Sequence, residues 1–302
     1  MPETNDLLLH SEQPERAGAV IDVTPEQAGW EYVGLRVQLI EPGGFWNYAS
    51  EQDELCIVPL RGSAVIESGD QSWKVSRPGT MFDGKPTALY LPVGSSVRAT
   101  SDEGAELAIT TSRASRHFPP KLIEPDDIDV EIRGAGNAAR QINHIIKPDF
   151  PADRLLVVEV FTPSGNWSSF PPHKHDVSDM PAEADLEEIY YYRIQPDDGF
   201  GLQRLYTADG SFDQAWVIHD GDLLLVPEGY HAFAIAHGYT GYYLNILAGD
   251  EAERTMQPAD DPRYAWVRAT WDDLTHEHVG GWQDIDKRVN AGAGRRDRGG
   301  HA

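Results

Sequence analysis

Short apolar or alternating runs recur along the chain and are separated by clusters of Gly, Pro, Asp and Asn. Runs rich in Val, Ile and Tyr occupy residues 106–111, 154–161, 189–194 and 242–247. Runs of this length and composition are typical of β-strands, and turn residues at short intervals are typical of a sandwich or barrel. The pattern therefore predicts an all-β protein.

Helical periodicity is scarce. Short helices are predicted near residues 25–29, 262–274 and 281–290. The segment 291–302 is rich in Gly and Arg and offers little apolar surface to bury, so residues 286–302 are predicted to form a disordered tail.

An internal repeat organises the β-rich part of the chain. Glu54 and Glu188 each precede an apolar run, and Pro92 and Pro227 each follow a second apolar run. The interval from Glu54 to Glu188 is nearly equal to the interval from Pro92 to Pro227. Because two independent residue pairs are separated by nearly the same interval, the sequence predicts a duplicated β domain. The predicted division is an amino-terminal barrel over 1–117, a Pro-rich acidic linker over 118–130, a carboxy-terminal barrel over 131–285, and the tail.

Composition and charge limit the partners. The 302 residues carry a formal charge of −24, which disfavours nucleic acids and anionic membrane surfaces. No apolar run approaches the roughly 18 residues that a membrane-spanning helix needs. The single cysteine, Cys56, cannot form an internal disulfide, and the first residues lack the pattern of a signal peptide. A cytoplasmic location is expected.

The sharpest chemical motif is the pair His173 and His175. Residues at i and i+2 of a strand point to the same face, so both imidazoles can converge on one cation. An isolated HxH pair is weak evidence, because it occurs by chance on solvated surfaces. Downstream, Glu188 directly precedes an apolar strand, and His231 closes a Pro-Glu-Gly-Tyr turn. Three imidazoles and one carboxylate form an open N/O site suited to Zn, Mn or Fe.

The order HxH, Glu, then P-x-G-x-H on successive strands resembles the metal site of the cupin superfamily, whose fold is a small jelly-roll barrel. More narrowly, the chain resembles the 5-deoxy-glucuronate isomerase family of myo-inositol catabolism, which is related to the uronate ketol-isomerases. The resemblance extends to about residue 285 and rests on residues 133–141 (RGAGNAARQ), 166–176 (NWSSFPPHKHD), 186–193 (LEEIYYYR), 199–206 (GFGLQRLY), 226–231 (VPEGYH) and 242–249 (YYLNILAG).

The resemblance implies two jelly-roll barrels and a metal-dependent aldose-ketose isomerisation of 5-deoxy-D-glucuronate to 5-dehydro-2-deoxy-D-gluconate. It assigns His173, His175, Glu188 and His231 as ligands of a divalent metal, with Zn or Mn favoured over Fe. Cupins commonly place the glutamate shortly after the second His, whereas here the whole segment 176–187 intervenes, so Glu187 stays open as an alternative to Glu188. A small-molecule sugar-acid substrate and a homo-oligomer are expected.

Residues around the predicted metal provide candidates for catalysis and substrate binding. Alternation puts Tyr190 and Tyr192 on the face of Glu188, as proton donors or sugar-stacking walls, although Tyr in a strand is more often core. Gln203 completes the predicted catalytic set. The predicted substrate-binding residues are Arg204, Tyr206 and Asn245.

Two cations near the motif are candidate partners for the substrate carboxylate, because an anion of this kind favours a guanidinium or an ammonium group. Arg204 is preferred over Lys174, since alternation turns Lys174 away from the histidine pair. Arg193 is out of phase with Glu188 and is predicted to form a surface or interface salt bridge.

The amino-terminal copy lacks the metal motif. Ser96 stands opposite His231 in the repeat, and residues 45–54 contain no histidine before Glu54. We therefore predict a structural role for this half. His276 and His278 form another HxH pair in a polar segment without a strand pattern, and we rank that pair second.

Two other functions use the same ligand set. An Fe(II) cupin dioxygenase would consume oxygen, whereas an isomerase would not. A non-catalytic cupin that binds sugar acids would keep the cavity without turnover.

Overall fold

The computed structural model describes residues 7–12 and 17–271, and in this part of the chain strands dominate. The predicted helix at residues 25–29 is present as α1 (Pro25–Ala28), which begins at the N-cap Thr24 with a capping box to Gln27. Within 262–271 there is a 3₁₀ helix, Ala265–Thr270. The predicted helix at 281–290, the pair His276 and His278, and the predicted tail lie outside the described residues. No described helix is long and apolar enough to cross a membrane.

Among the described residues, the amino-terminal half contributes ten strands. They are β1 (Leu8–Leu9), β2 (Gly18–Val23), β3 (Val33–Ile40), β4 (Gly44–Ala49), β5 (Asp53–Ser68), β6 (Gln71–Thr80), β7 (Ala88–Leu91), β8 (Ser96–Ser101), β9 (Ala105–Arg113) and β10 (Lys121–Ile123).

Thirteen strands follow in the part described up to residue 271, with 3₁₀ helices at Pro125–Asp127 and Gly136–Ala138. They are β11 (Asp129–Arg133), β12 (Arg140–Ile146), β13 (Leu156–Thr162), β14 (Trp167–Lys174), β15 (Asp176–Asp179), β16 (Glu183–Asp185), β17 (Glu187–Gln195), β18 (Gly201–Tyr206), β19 (Asp213–Ile218), β20 (Leu223–Val226), β21 (Tyr230–Ile235), β22 (Thr240–Ala248) and β23 (Ala259–Asp260).

The strands form one curled sheet in the first half and two facing sheets in the second. The first-half sheet runs β10-β7-β5-β9-β3-β2, with β6 and β8 also paired to the long strand β5 and β4 paired to β8. The second half has a seven-stranded sheet, β1-β20-β17-β22-β13-β12-β11, and a five-stranded sheet, β19-β18-β21-β14-β23. The acidic segment after His175 forms the hairpin β15-β16.

Strand register reproduces the sequence repeat. In the first half Leu55 pairs with Leu91 on β5 and β7. In the second half Ile189 pairs with Leu225 on β17 and β20. Adding the interval between Glu54 and Glu188 to the residue numbers of Leu55 and Leu91 gives Ile189 and Leu225, the pair observed in the second half. The two halves therefore share one strand plan.

Strand pairing also crosses the predicted linker. β1 pairs with β20 of the second half, and β10, which lies inside the predicted linker, pairs with β7 of the first half. The predicted domain limits stay a prediction, but the two halves are joined by backbone hydrogen bonds as well as by chain connectivity.

Two carboxylates join the halves reciprocally. Glu54 on β5 accepts hydrogen bonds from the backbone N–H groups of residues 153–155, at 2.6 to 2.7 Å, and from the Tyr90 hydroxyl. Glu187 on β17 accepts hydrogen bonds from the backbone N–H groups of residues 31–33, at 2.6 to 2.9 Å. Each carboxylate thereby satisfies the amides that precede a strand of the other half.

The apolar core is continuous between the halves. One buried cluster includes Val37 and Val58 from the first half and Phe161 and Tyr242 from the second. Trp46 and Trp73 pack instead on a separate cluster inside the first half. Arg193 bridges the halves through Glu106, at 2.7 Å, and also binds Asp220 at 3.0 Å. The prediction was a surface or interface salt bridge, and the observed one joins the two halves.

Candidate metal centre

A bulge in β14 brings two histidines face to face. Ser168 pairs with Phe233 and His173 pairs with His231, so four residues of β14 lie opposite one residue of β21. Ser169 within this bulge has φ +57°, the left-handed region that non-glycine residues rarely adopt. The irregular backbone advances His173 along its strand until it sits opposite His231.

Three imidazoles converge beside one carboxylate. Nitrogen atoms of His173, His175 and His231 lie within 4.8 Å of one another. The Oε2 atom of Glu188 lies 2.9 Å from His175 Nε2 and 3.2 Å from His231 Nε2. His231 Nε2 is buried and has no hydrogen-bond partner among the described residues, which is the state of a ligand atom turned toward a cation. The donor set fits a divalent metal.

Neighbouring groups fix the orientation of the candidate ligands. Asn245 Nδ2 donates to Glu188 Oε1 at 2.6 Å. His175 Nδ1 lies 3.0 Å from the Leu186 carbonyl oxygen, and His231 Nδ1 lies 3.3 Å from the Gly229 carbonyl oxygen. A carbonyl on Nδ1 selects the tautomer that leaves Nε2 free to bind a metal, as in many metal sites.

Burial sets the protonation of the cluster. Burial lowers the pKa of His173 well below its usual value, and the neighbouring imidazoles lower it further. Burial also lowers the pKa of His231 to about 4, against the opposing influence of Glu188. Burial likewise acts to lower the pKa of His175, but the Glu188 carboxylate outweighs it and the net shift is upward. His173 and His231 are therefore neutral near pH 7, which is the form that binds metals.

Three members of the cluster, His173, His175 and Glu188, line a cavity that opens to solvent. The polar residues in its wall besides the candidate ligands are Arg133, Arg140, His144, Ser169, Tyr190, Tyr243 and Asn245. Burial, followed by the charge of Glu188, raises the pKa of Tyr190 well above its usual value. This phenol is therefore protonated and available as a hydrogen-bond donor in the cavity.

Tyr192 and Gln203 lie deeper than the cavity wall. Both are fully buried, and the Tyr192 hydroxyl donates to Gln203 Oε1 at 3.1 Å. Tyr192 packs against the rings of Phe233 and Tyr243. The structure thus brings Tyr190 and Asn245 to the cavity, and it places Tyr192 and Gln203 behind them.

Arg204 and Tyr206 face away from the cavity. On β18 they alternate with the buried Gln203, so they point to the outer side of the sheet. Arg204 forms a bidentate ion pair with Asp213 at 2.7 and 2.8 Å. The Tyr206 hydroxyl donates to Asp261 at 2.6 Å. Their predicted substrate-binding roles do not match this placement, because the position of β18 in the sheet turns even-numbered side chains outward.

The side chains of Glu187, Glu188 and Lys174 point in different directions. Glu187 points to the amino-terminal half, as described above, whereas Glu188 points to the histidines. Lys174 Nζ forms ion pairs with Asp176 and, at 2.7 Å, with Glu183, on the side away from the histidine pair.

Sequence reasoning missed five polar residues of the cavity wall, namely Arg133, Arg140, His144, Ser169 and Tyr243. Arg140 and His144 share one face of β12, and Tyr243 lies two positions before Asn245 on β22. Alternation outward from Asn245 would have indicated Tyr243. Arg140 lies in the segment 133–141 that carries the resemblance, but no periodicity indicated that β12 approaches the cavity, because this depends on how the sheet curls.

Comparison with solved structures defines the class of fold. A crystal structure of Lactobacillus farciminis oxalate decarboxylase in complex with formate, 11% identical, superposes with a TM-score of 0.61 and covers 93% of this chain and 96% of that one. This likeness concerns the fold alone and confirms the predicted all-β, duplicated cupin architecture. The molecule has the duplicated jelly-roll fold of this structure, with a candidate metal centre in its second half.

Comparison of sequences narrows the class. The KduI/IolB family model matches residues 7–267, and the chain belongs to that family. It is 43% identical over 262 residues to the 5-deoxy-glucuronate isomerase of Geobacillus thermodenitrificans strain NG80-2, with 86% of this chain and 95% of that one covered. The protein of the same name from Geobacillus kaustophilus strain HTA426 is 42% identical over 263 residues, with the same shares covered.

A solved structure supports the same placement. The crystal structure of an IolB-like protein from Salmonella typhimurium LT2 is 35% identical, with a TM-score of 0.83, and covers 87% of this chain and 99% of that one.

Proposed function

We propose that the protein is a metal-dependent aldose-ketose isomerase that converts 5-deoxy-D-glucuronate to 5-dehydro-2-deoxy-D-gluconate in myo-inositol catabolism. The observation that carries the proposal is the convergence of three imidazoles beside Glu188, with His173, His175 and Glu188 lining a polar cavity, in a chain similar to proteins that bear this name. The second barrel is the catalytic unit in this proposal, and the first barrel, 1–117, is structural.

His173, His175, Glu188 and His231 would hold the metal, which we propose to be Zn or Mn, with Fe as the third choice. Zn accepts a mixed set of three His and one carboxylate, and Mn tolerates the same donors. A bound divalent cation would supply Lewis-acid stabilisation of negative charge on the sugar oxygens. Asn245 keeps Glu188 oriented, since its amide fixes Oε1 while Oε2 faces the imidazoles.

The isomerisation moves protons and needs no oxidant. One proton leaves C2 and a proton is added at C1, while the hydroxyl proton on O2 is transferred to O1. Tyr190, protonated because its pKa is raised, can donate a hydrogen bond to an oxygen that gains negative charge. The Tyr243 hydroxyl, 2.5 Å from Ser168 Oγ, provides a second phenol in the same wall.

We propose His144 as the group that moves the carbon-bound proton. In the sheet register His144 pairs with Val158, Val158 with Asn245 and Asn245 with Tyr190, so His144 lies in the row that contains the cavity residues. Its Nε2 lies 3.0 Å from Glu131 Oε2, which orients the ring. An imidazole held by a carboxylate accepts a proton and returns it, as the transfer between C2 and C1 requires.

A homo-oligomer is also proposed, and an apolar row on the outer face of the five-stranded sheet supports it. Val217 pairs with Leu202, Leu202 with Ala234 and Ala234 with Trp167, and the three large side chains are 40 to 49% exposed. Light scattering of wild type and of Leu202→Lys compares the masses in solution. A monomeric wild type would contradict this part of the proposal.

The test is an anaerobic assay of metal-analysed protein with 5-deoxy-D-glucuronate in deuterated water, followed by NMR. Wild type should form the ketose with deuterium from the solvent at the carbon that was C1 of the aldose. His173→Ala should lose both the metal and this turnover. In His144→Gln the metal is retained and both turnover and deuterium incorporation fall.

Other outcomes discriminate among functions. Metal-loaded protein that turns over only with oxygen uptake would identify a dioxygenase and overturn the isomerase. Metal-loaded protein that binds sugar acids without turnover would identify a binding protein.

A further inference from the structure

Arg140 is a buried arginine without a partner among the described residues. It begins β12, is 4% exposed and lines the cavity of the candidate metal centre. Its Nη1 atom is buried without a hydrogen-bond partner, and its side chain makes no hydrogen bond or ion pair to any residue that the structure describes. Burial of an unpaired guanidinium is costly, so such a group is retained where an anion completes it.

Arg77 shows how this chain satisfies a buried arginine that serves structure. Its guanidinium donates to the carbonyl oxygens of Pro59 and Gly84, both at 2.6 Å, and forms an ion pair with the fully buried Glu159. Arg140 has no such set within the described part of the chain, although it is buried to a similar degree. The difference points to an external partner for Arg140.

Arg133, the cross-strand neighbour of Arg140, is already paired. It forms two hydrogen bonds with Glu131, at 2.7 and 2.9 Å. The positive charge of Arg133 adds to the burial that lowers the pKa of Arg140. Arg133 and Arg140 with the single carboxylate of Glu131 leave one positive charge in this group of three side chains, opposite in sign to the charge of −24 that the whole chain carries.

We propose that Arg140 binds the carboxylate of the sugar-acid substrate, a proposal that rests on the proposed function. A guanidinium fits a carboxylate through two parallel hydrogen bonds, which gives both energy and direction. Arg140 and the metal-ligand cluster face one cavity, so binding of the acid group at Arg140 would present the rest of the sugar to the cluster. Specificity for a uronate over a neutral aldose would then reside in Arg140.

The decisive comparison uses 5-deoxy-D-glucuronate and its neutral counterpart 5-deoxy-D-glucose, in which a CH2OH group replaces the carboxylate. Arg140→Gln should lose about 100-fold in kcat/KM for the acid and change the neutral sugar by less than about 3-fold, so that discrimination collapses. Arg140→Lys should recover part of the loss. Arg98→Gln, on the exposed pair with Glu67, is the matched control and should change neither substrate.

A structural role for Arg140 predicts different results. A structural arginine would lower the unfolding temperature when replaced and reduce both substrates equally. An arginine kept for an anion leaves the unfolding temperature of Arg140→Gln unchanged or higher, because an unpaired buried charge is removed, and leaves the metal content intact. Equal losses on both substrates would overturn the proposal.

A binding measurement separates this inference from the proposed reaction. D-glucuronate should raise the unfolding temperature of wild type and D-glucose should not, and the difference should vanish in Arg140→Gln. If wild type fails to isomerise 5-deoxy-D-glucuronate but shows this difference, the reaction fails and the acid site stands. If glucuronate stabilises wild type and Arg140→Gln equally, the role of Arg140 fails whatever the reaction.

Discussion

Glu54 and Glu188 are matched by the sequence repeat, but Glu54 points to the opposite half of the chain and Glu188 points into its own half. Glu54 receives four hydrogen bonds from its own protein, three of them from backbone amides of the other half. Glu188 receives one from Asn245 and turns its other oxygen to two imidazoles. A buried carboxylate becomes structural or chemical according to whether its surroundings satisfy it completely.

The residues that follow these two glutamates also differ in whether they can take part in chemistry. Cys56, two residues after Glu54, lies in the core cluster shared by the halves, whereas Tyr190, two residues after Glu188, lines the cavity. Cys56 is fully buried, and burial raises the pKa of its thiol out of any reactive range. Ile, Leu, Val and Ala side chains form the core inside the first half, whereas phenols and polar groups line the cavity of the second.

The largest effect is expected at the carboxylate that faces the imidazoles. Glu188→Gln should abolish stoichiometric metal binding and lower kcat/KM for 5-deoxy-D-glucuronate by about 1,000-fold, because loss of a Lewis acid costs several kcal/mol in the transition state. Metal analysis and the isomerase assay measure both. If Glu188→Gln kept its metal and its rate, Glu188 would have no chemical role that distinguishes it from Glu54.

A substitution of Glu54 should lower the stability of the protein rather than its metal binding. Glu54→Gln should lower the free energy of unfolding by about 3 kcal/mol, because the amide cannot accept all the hydrogen bonds that the carboxylate accepts. Urea unfolding followed by fluorescence measures the change. The folded protein should keep its metal, and loss of metal at unchanged stability would contradict the structural role of Glu54.

A smaller effect is expected from the residue that orients Glu188. Asn245→Ala should weaken metal binding by about 10- to 100-fold, since Glu188 loses its fixed direction. Thr110 on β9 is the control, because its hydroxyl donates only to the Cys56 carbonyl oxygen among the described residues. Competition with a chelator should show a shift for Asn245→Ala and none for Thr110→Ala, and equal shifts would remove the special role of Asn245.

The smallest effect tests the contact between the halves. Arg193→Gln should cost about 1 kcal/mol, and the cost should shrink in high salt, because the ion pairs of Arg193 are partly exposed. Arg204→Gln, on a more exposed pair, should cost about 0.5 kcal/mol or less. Unfolding midpoints in low and high salt provide the comparison, and a larger loss for Arg204 would contradict it.

Much of this could be predicted from sequence because it depends on local order. Alternation and turn residues indicated the strand content, and the repeat offset survived into strand register. The spacing of His173 and His175, with Glu188 and His231, indicated the four residues that meet around the candidate metal centre. Their roles as ligands stay a prediction that the experiments above test.

What could not be predicted depends on the direction of strands in three dimensions. The bulge at Ser169, the outward face of β18 that carries Arg204, and the approach of β12 that brings Arg140 to the cavity have no periodic signature. The sequence therefore favours Arg204, which is close to the histidine pair in the chain, over Arg140, which only the curl of the sheet brings to the cavity.

The reciprocal carboxylates have a consequence for the history of the chain. After a barrel is duplicated, a copy without chemistry is free to decay unless something retains it. Here Glu54 and Glu187 each cap three amides of the opposite half, so neither copy can be deleted without exposing the other's backbone. Each half thus depends on the other for these contacts, and we expect a gene split at residues 118–130 to yield two fragments that fold only together.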